Sequence, residues 1–509
     1  MSLMIMDSSS GQLPWRQITA TAIVLYFACL ATYRLFFHPL SRFPGPTLAA
    51  LTRWYEAYYD VVRNGRYMFK IADLHREYGP IVRISPHELH INDADFFNQL
   101  YSQEGRWHKY DWAYDAFLTP GAAVLTVDHD VHKARRQPLN PFFSKAKVAL
   151  RQDMMDRNTN KLCDRIQQFA RANSMFNLGA AITAFTRDVA TEFILNKTYN
   201  SLDQEDFHWG MTTIGRSSGA IWRITKHARW FGLAVMSIPK SLLAKIADDG
   251  TRSFFHYMEE MDQDTERLME AAAHGKEPRT IVHGIMDSDL PPSEKVFSRL
   301  TREVSTVTGA GFETSASVLR LIFFHVFSNA EILGRLRAEL AGLPRQSASD
   351  IAELKDLEKL PYLTAVLMEG LRLSPGVATR LARISPDRDL SYKEWRIPAG
   401  TPVSMTVLLM HLDEKIYPDP LRFNPDRWMD PDDRRRLERT FAPFQKGTRS
   451  CLGLNLAWAE MYIVLSALVR RFDFEFVGAE ARDFECECDH FLIGTRSRSV
   501  LNTYATALD

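Results

Sequence analysis

The stretch 441-FAPFQKGTRSCLGLNLA-457 opens as a loop and closes as an apolar helix, with Cys451 at the join. A lone cysteine is most often a small buried hydrophobe. Here Gly447 and Gly453 allow tight backbone geometry, Lys446 and Arg449 bring positive charge, and a helix from about Leu452 aims its N-terminal dipole at the sulfur. Together these features favour a thiolate. A thiolate serves either as a nucleophile, which needs a histidine base, or as the axial ligand of a haem iron, where the arginine suits a propionate. The loop alone leaves both open.

The chain around this loop has 509 residues, 46% apolar and 24% charged, the balance of a folded globular protein and not of a disordered one. Lysine plus arginine equal aspartate plus glutamate at 62 each, so net charge gives no reason to expect nucleic acid as a partner. Five scattered cysteines exclude a disulfide framework. Cys486 and Cys488 are two apart, which suits a terminal strand better than redox or zinc chemistry.

Only the N-terminus departs from this composition. Residues 17–37 are apolar apart from Arg34, about the length that spans a bilayer core. Trp15 and Tyr33 stand at the interfacial positions, and Arg34, Arg42 and Arg53 follow the span where only Arg16 precedes it. This predicts a short lumenal N-terminus (1–16), a transmembrane anchor (17–37), a stiff proline-rich hinge, 38-HPLSRFPGP-46, and a cytosolic body over 47–509. A cleaved signal peptide is the competing reading, disfavoured by the long apolar stretch and the lack of an A-x-A site. Asn196-Lys197-Thr198 is a glycosylation sequon that a cytosolic body leaves unmodified.

Within the body, 79-GPIVRISPHELHIND-93 reads as a two-stranded ribbon, and most of the rest has helical periodicity without linkers or repeats. The fold class expected is mainly α with small β-sheets in one large domain. Residues 293–328 form the longest helical candidate, N-capped by Ser293 and buried from Val318 to Phe327. Gly309 and Gly311 near its middle resemble a dinucleotide fingerprint only superficially, since Thr314 replaces the third glycine and no strand precedes. Reducing equivalents must therefore come from another protein. Residues 221–243 mix aromatics with Arg223, Lys226, Arg229 and Lys240, either a core helix with a basic outer face or a surface that dips into lipid.

Phe444, Gly447, Arg449, Cys451 and Gly453 spell F-x-x-G-x-R-x-C-x-G, which resembles the cysteine-ligand signature of the cytochrome P-450 superfamily. In the family's order, 310-AGFETS-315 is similar to the oxygen-activation motif of the long central helix. Glu369-Gly-Leu-Arg372 resembles the E-x-x-R pair, and 423-FNPDRW-428 resembles the segment supplying a further arginine, Arg427. The resemblance covers essentially the whole chain. It implies the cytochrome P-450 fold and haem b (iron protoporphyrin IX) with Cys451 as the axial thiolate. Phe444 packs over the loop, Gly447 permits its turn, Arg449 pairs with a propionate, and Gly453 lets the following helix approach the porphyrin.

The same resemblance gives Thr314 and Glu313 proton delivery at bound oxygen, and makes Glu369, Arg372 and Arg427 a buried network that holds the cysteine loop. Residues 129-HDVHKARRQPLNPFFS-144 resemble the helix bearing W-x-x-x-R, with Arg136 retained and His132 in the tryptophan position. Arg383 fits a further propionate contact, although Arg380 is close enough to compete. The implied activity is a monooxygenase at the endoplasmic reticulum that uses O2, a lipophilic substrate and NADPH-cytochrome P-450 reductase. Arg135, Lys145 and Lys446 offer a basic dock for that reductase. The hinge and 370-GLRLSPGVATRLAR-383 look like fungal biosynthetic members, which suggests a terpenoid or polyketide substrate. A reductase-independent haem-thiolate isomerase or dehydratase, and a non-catalytic haem- or lipid-binding membrane protein, are the alternatives.

Overall fold

The computed structural model describes residues 15–239, 248–274, 280–343, 351–496 and 500–508. Helices dominate, as the periodicity predicts, and the described strands form four small sheets. The short N-terminal segment 1–16 lies almost wholly outside the described residues. From Trp15 an apolar helix runs to Thr32 and continues as a π-helical turn to Phe37, 23 residues with none buried. The hinge behind it is docked and does not act as a free spacer. Leu40 and Phe43 are buried, Phe43 stacks on Trp395 at 4.8 Å, and Arg83 N–H donates to Pro44 O at 2.7 Å.

The expected ribbon forms from Ile81–Arg83 and Leu89–Ile91, antiparallel, and is the edge of a five-stranded sheet. Pro402–Ser404 joins parallel to the second strand, followed by Arg383–Ile384 and His108–Lys109. Cys486 and Cys488 lie in the strand Cys486–His490, which pairs with Leu492–Thr495, and both thiols are free.

The long central helix is Phe297–Phe327, about 46 Å at helical rise. Ser293 does not cap it. That serine lies in a separate 3-10 turn, Pro292–Glu294, which Arg135 holds through two 2.7 Å bonds to Glu294, and the helix starts after Val296. Val318–Phe324 and Val326 are buried as expected. Gly311 allows the helix to cross Leu178–Leu195 closely: a Cβ there would come 2.9 Å from that of Ala190. Thr186 Oγ1 donates to Phe312 O at 2.8 Å at this crossing.

Residues 221–239 correct the picture of a basic outer face. Trp222, Arg223 and Lys226 are buried. Lys226 Nζ lies 2.7 Å from Asp60 and 3.4 Å from Glu56, and Arg223 donates to Asp489 O and Asn64 Oδ1. Carboxylates hold Lys226 inward and neutral oxygens hold Arg223, and the outer side is left apolar: Ile221, Trp230, Leu233 and Met236 are exposed. Lys240 lies outside the described residues.

Candidate active site around Cys451

Cys451 joins a 3-10 turn, Gly447–Arg449, to the helix Leu454–Arg471, whose N-cap is Gly453. The loop closes on itself, with Cys451 N–H donating to Phe444 O at 2.9 Å and Ser450 N–H to Gly447 O at 3.1 Å. Gly447 has φ +75°, and a Cβ on it would lie 2.6 Å from the carbonyl oxygens of Tyr101 and Ser102. Left-handed backbone and close approach together demand glycine there. At Gly453 a Cβ would meet nothing within 4 Å. Phe444 is half-buried, its ring 6.2 Å from Trp458.

The charges that flank Cys451 in sequence do not flank it in space. Lys446 donates to Asn98 Oδ1 and Arg439 O, and Arg449 turns to the carbonyls of Thr126, Val127 and Asp128 at 2.7–3.0 Å. Arg136 supplies the positive charge instead, with Nη1 2.5 Å from Ser450 O. Cys451 is accessible at close range, yet protein surrounds it more widely, and this burial pushes its thiol up. The N–H groups of Gly453 and Leu454 and the Arg136 charge work against that rise without reversing it. Burial thus works against the thiolate while no metal is bound. A bound metal reverses this, since coordination deprotonates a thiol outright.

Behind the loop, Glu369 and Arg372 are fully buried on the helix Pro361–Leu373. Glu369 Oε1 accepts from Arg372 Nη2 (2.7 Å), Arg427 Nε (3.0 Å) and Asn424 N (3.0 Å), and Oε2 from Arg372 Nε (2.9 Å) and Trp428 Nε1 (2.9 Å). Sequence reasoning missed what carries this network to the cysteine loop. His411 Nε2 accepts from Ala442 N at 3.1 Å, so its Nδ1 carries the proton and donates to Arg372 O at 3.0 Å. Burial and the Arg372 charge push its pKa down to about 3, which keeps this neutral tautomer in place. Its ring stacks on Phe441, 5.7 Å away.

A second cluster faces the other side of the loop. Arg449, Arg383, Lys109 and His132 are buried and Arg136 is half-buried, and among the described residues no carboxylate pairs with any of the four cations. Arg449 Nε is buried without a partner. Burial, with Arg449 and Lys109, pushes His132 down to about 2, so it is a neutral member. Arg380, by contrast, is spent on Glu56 (2.7 Å) and Glu88 (2.8 Å), which separates it from Arg383. Uncompensated buried cations are costly. This arrangement fits a ligand with two carboxylates and a thiolate-seeking metal, as haem has.

On the central helix Gly309 and Ala310 are exposed although the helix crosses the interior. Thr314 Oγ1 donates to Ala310 O at 2.7 Å, the common habit of a mid-helix threonine, and the helix runs through this point without a break. Gly376, at φ +73°, brings its backbone against Thr314, with its would-be Cβ 3.5 Å from the threonine Cβ. Glu313 turns away to the buried Arg320, which also donates to Thr183 Oγ1 at 2.7 Å.

The cytochrome P450 family model matches residues 55–500. A cytochrome P450 monooxygenase of Ascocoryne sarcoides, MO6277, is 38% identical over 92% of this chain and 94% of its own. The tryptophan 6-hydroxylase fscE of Fusarium equiseti is 38% identical over 94% of each, and the N-acetyltryptophan 6-hydroxylase ivoC of Emericella nidulans 37% identical over 92% of each. A solved cytochrome P450 structure, CYP102L1, superposes with a TM-score of 0.68 over 87% of this chain and 94% of that one, at 17% identity, a likeness of fold. With its cysteine loop, buried glutamate–arginine network and central helix so placed, the chain belongs to the cytochrome P450 family and is a haem-thiolate monooxygenase.

Proposed function

We propose that this monooxygenase works in fungal secondary metabolism, hydroxylating a lipophilic terpenoid or polyketide with electrons from NADPH-cytochrome P-450 reductase. Haem b would be the group held, with Cys451 as its ligand. The anchor would sit in the endoplasmic reticulum membrane with the body in the cytosol. The observation that carries the lipophilic reading is the apolar helix Trp15–Phe37, none of it buried, together with the exposed Trp230, Leu233 and Met236. Such surfaces bury themselves in an acyl boundary, which is where a lipophilic substrate concentrates.

The haem, when bound, supplies dioxygen activation and delivers one oxygen atom to substrate, while the other leaves as water with two protons and two electrons. The chain's own part is to hold and to proton-couple. Arg449, Arg383, Arg136 and the neutral His132 receive the propionates. Glu369, Arg372 and Arg427 fix the loop through His411. Thr314 Oγ1 keeps acceptor capacity while bonded to Ala310 O, and a χ1 rotation frees its proton for oxygen. Glu313 relays protons behind it, after releasing Arg320.

Expression with the reductase, followed by product analysis under labelled O2, tests this reading. One labelled oxygen in a terpenoid or polyketide product is expected. Turnover that needs neither reductant nor O2 overturns it. Two relatives named for tryptophan hydroxylation favour a second reading, an indole substrate, and the same assay with tryptophan and N-acetyltryptophan separates the two.

A further inference from the structure

Strand pairing sets Lys109 directly opposite Arg383. Two cations face to face across a ladder repel, and the surroundings here worsen it. Lys109 is 5% exposed, and its neighbours in charge are Arg383, Arg449 and Arg136, all positive. Its ammonium donates to Val124 O and lies 4.0 Å over the Tyr114 ring. One carbonyl and one ring do not offset the removal of an ammonium from water, and a methionine would fill the same space without that cost. A sequence that keeps lysine in this position has an anion to meet.

We propose that Lys109 is a further haem-binding residue, a cation beside Arg383 that receives carboxylate charge of the bound haem. The inference rests on the haem reading and adds to it a residue that no local motif marks. Burial, then the three arginines, push its pKa well down, so an approaching carboxylate would restore the charge that the apoprotein suppresses. Its position follows from chain topology: the strand His108–Lys109 is carried to the sheet edge next to Arg383, and Arg449 reaches the same loop through the carbonyls of Trp107 and Thr126.

The test uses full-length holoprotein as wild type, Lys109→Met, Lys109→Gln and Lys109→Arg, each loaded with haem b or with its dimethyl ester. Haem loss to excess apomyoglobin is timed, and the reduced, carbon monoxide-bound spectrum reports thiolate ligation. With haem b, the Met and Gln variants should lose haem roughly ten- to a hundredfold faster, the size of one hydrogen bond to a charged group. Arg should restore retention, with the thiolate band unmoved throughout. With the dimethyl ester, which has no carboxylates, all four proteins should lose haem at one rate. Equal rates with haem b, or a Lys109 effect that survives esterification, overturn the proposal while leaving the haem reading standing. A wild type without a thiolate band overturns both.

Discussion

Replacing Glu369 by glutamine tests whether the loop is held by a buried charge or by an ordinary helical pair. The carboxylate accepts five hydrogen bonds on two oxygens, three of them from guanidinium nitrogens. Glutamine offers one oxygen and turns an amide with two donors against donors. At least two bonds are lost, and Arg372, 0% exposed, keeps a charge without its counter-ion. Breaking a buried pair from one side costs about 3–5 kcal/mol, against roughly 0.2–0.5 for an exposed i, i+3 pair. For 509 residues the unfolding entropy is about 1 kcal/mol per degree, so the first case lowers the thermal midpoint by about 3–5 °C and the second by under 1 °C. The assay is thermal loss of the thiolate-type carbon monoxide spectrum in purified holoprotein, with haem content measured per chain. Because His411 couples Arg372 to Ala442, haem content should fall alongside the midpoint. A variant with full haem content and a midpoint within 1 °C of wild type would refute the reasoning.

Gly447→Ala places a methyl 2.6 Å from two backbone oxygens at positive φ, so haem incorporation should drop several-fold, read from the Soret to protein absorbance ratio; full incorporation counts against the clamp. Glu460 is buried with Ser315 as its hydrogen-bond partner, and burial lifts its pKa from 4.5 to about 8. The folded state then holds a proton that the unfolded chain has released, so its contribution is complete below pH 4.5 and lost as pH rises through about 8. Glu460→Gln removes that slope, and its thermal midpoint relative to wild type should climb by about 1 °C per pH unit between pH 5 and 8; parallel curves contradict the assignment. For the reductase dock, Arg135 is held by Glu294 and only 17% exposed, while Lys145, although 2.8 Å from Glu358, is 70% exposed and is the better probe. The double reversal Lys145→Glu, Lys446→Glu should slow reductase-driven turnover at least fivefold and leave the substrate-induced spectral shift intact; unchanged turnover moves the dock elsewhere.

The features legible in the sequence are those whose parts lie within one turn or one loop. The cysteine loop, the Glu369–Arg372 pair and the central glycines announce themselves because their chemistry fixes local spacing. His411 does not, since its role comes from two backbone partners, 39 residues earlier and 31 later. Lys109 acquires meaning only from a strand partner 274 positions away, Arg383. Of the two readings of 221–243, the basic outer face fails for the same reason. Arg223 and Lys226 count as a basic face until Asn64, Asp60 and Glu56 arrive from the N-terminal region and bury them. Ser293 satisfies the local rule for a helix cap, but Arg135 captures the adjacent Glu294 into a separate turn. At Ser293 the tertiary partner outweighs a local capping preference worth about 1 kcal/mol.

Two systems hold the site, and they differ in what they need. The Glu369 network is supplied with a counter-charge within the protein, one carboxylate shared by two guanidinium groups, so it can set the loop before any ligand arrives. The cation cluster is not, and it carries an electrostatic cost until carboxylates enter. Arg136 bonds the carbonyl beside Cys451 while its charge adds to the cluster, and Arg449, itself part of the cysteine loop, belongs to the same cluster. Compensation of the cluster thereby reaches the cysteine loop through Arg136 and Arg449, which couples anion capture to the position of the metal ligand.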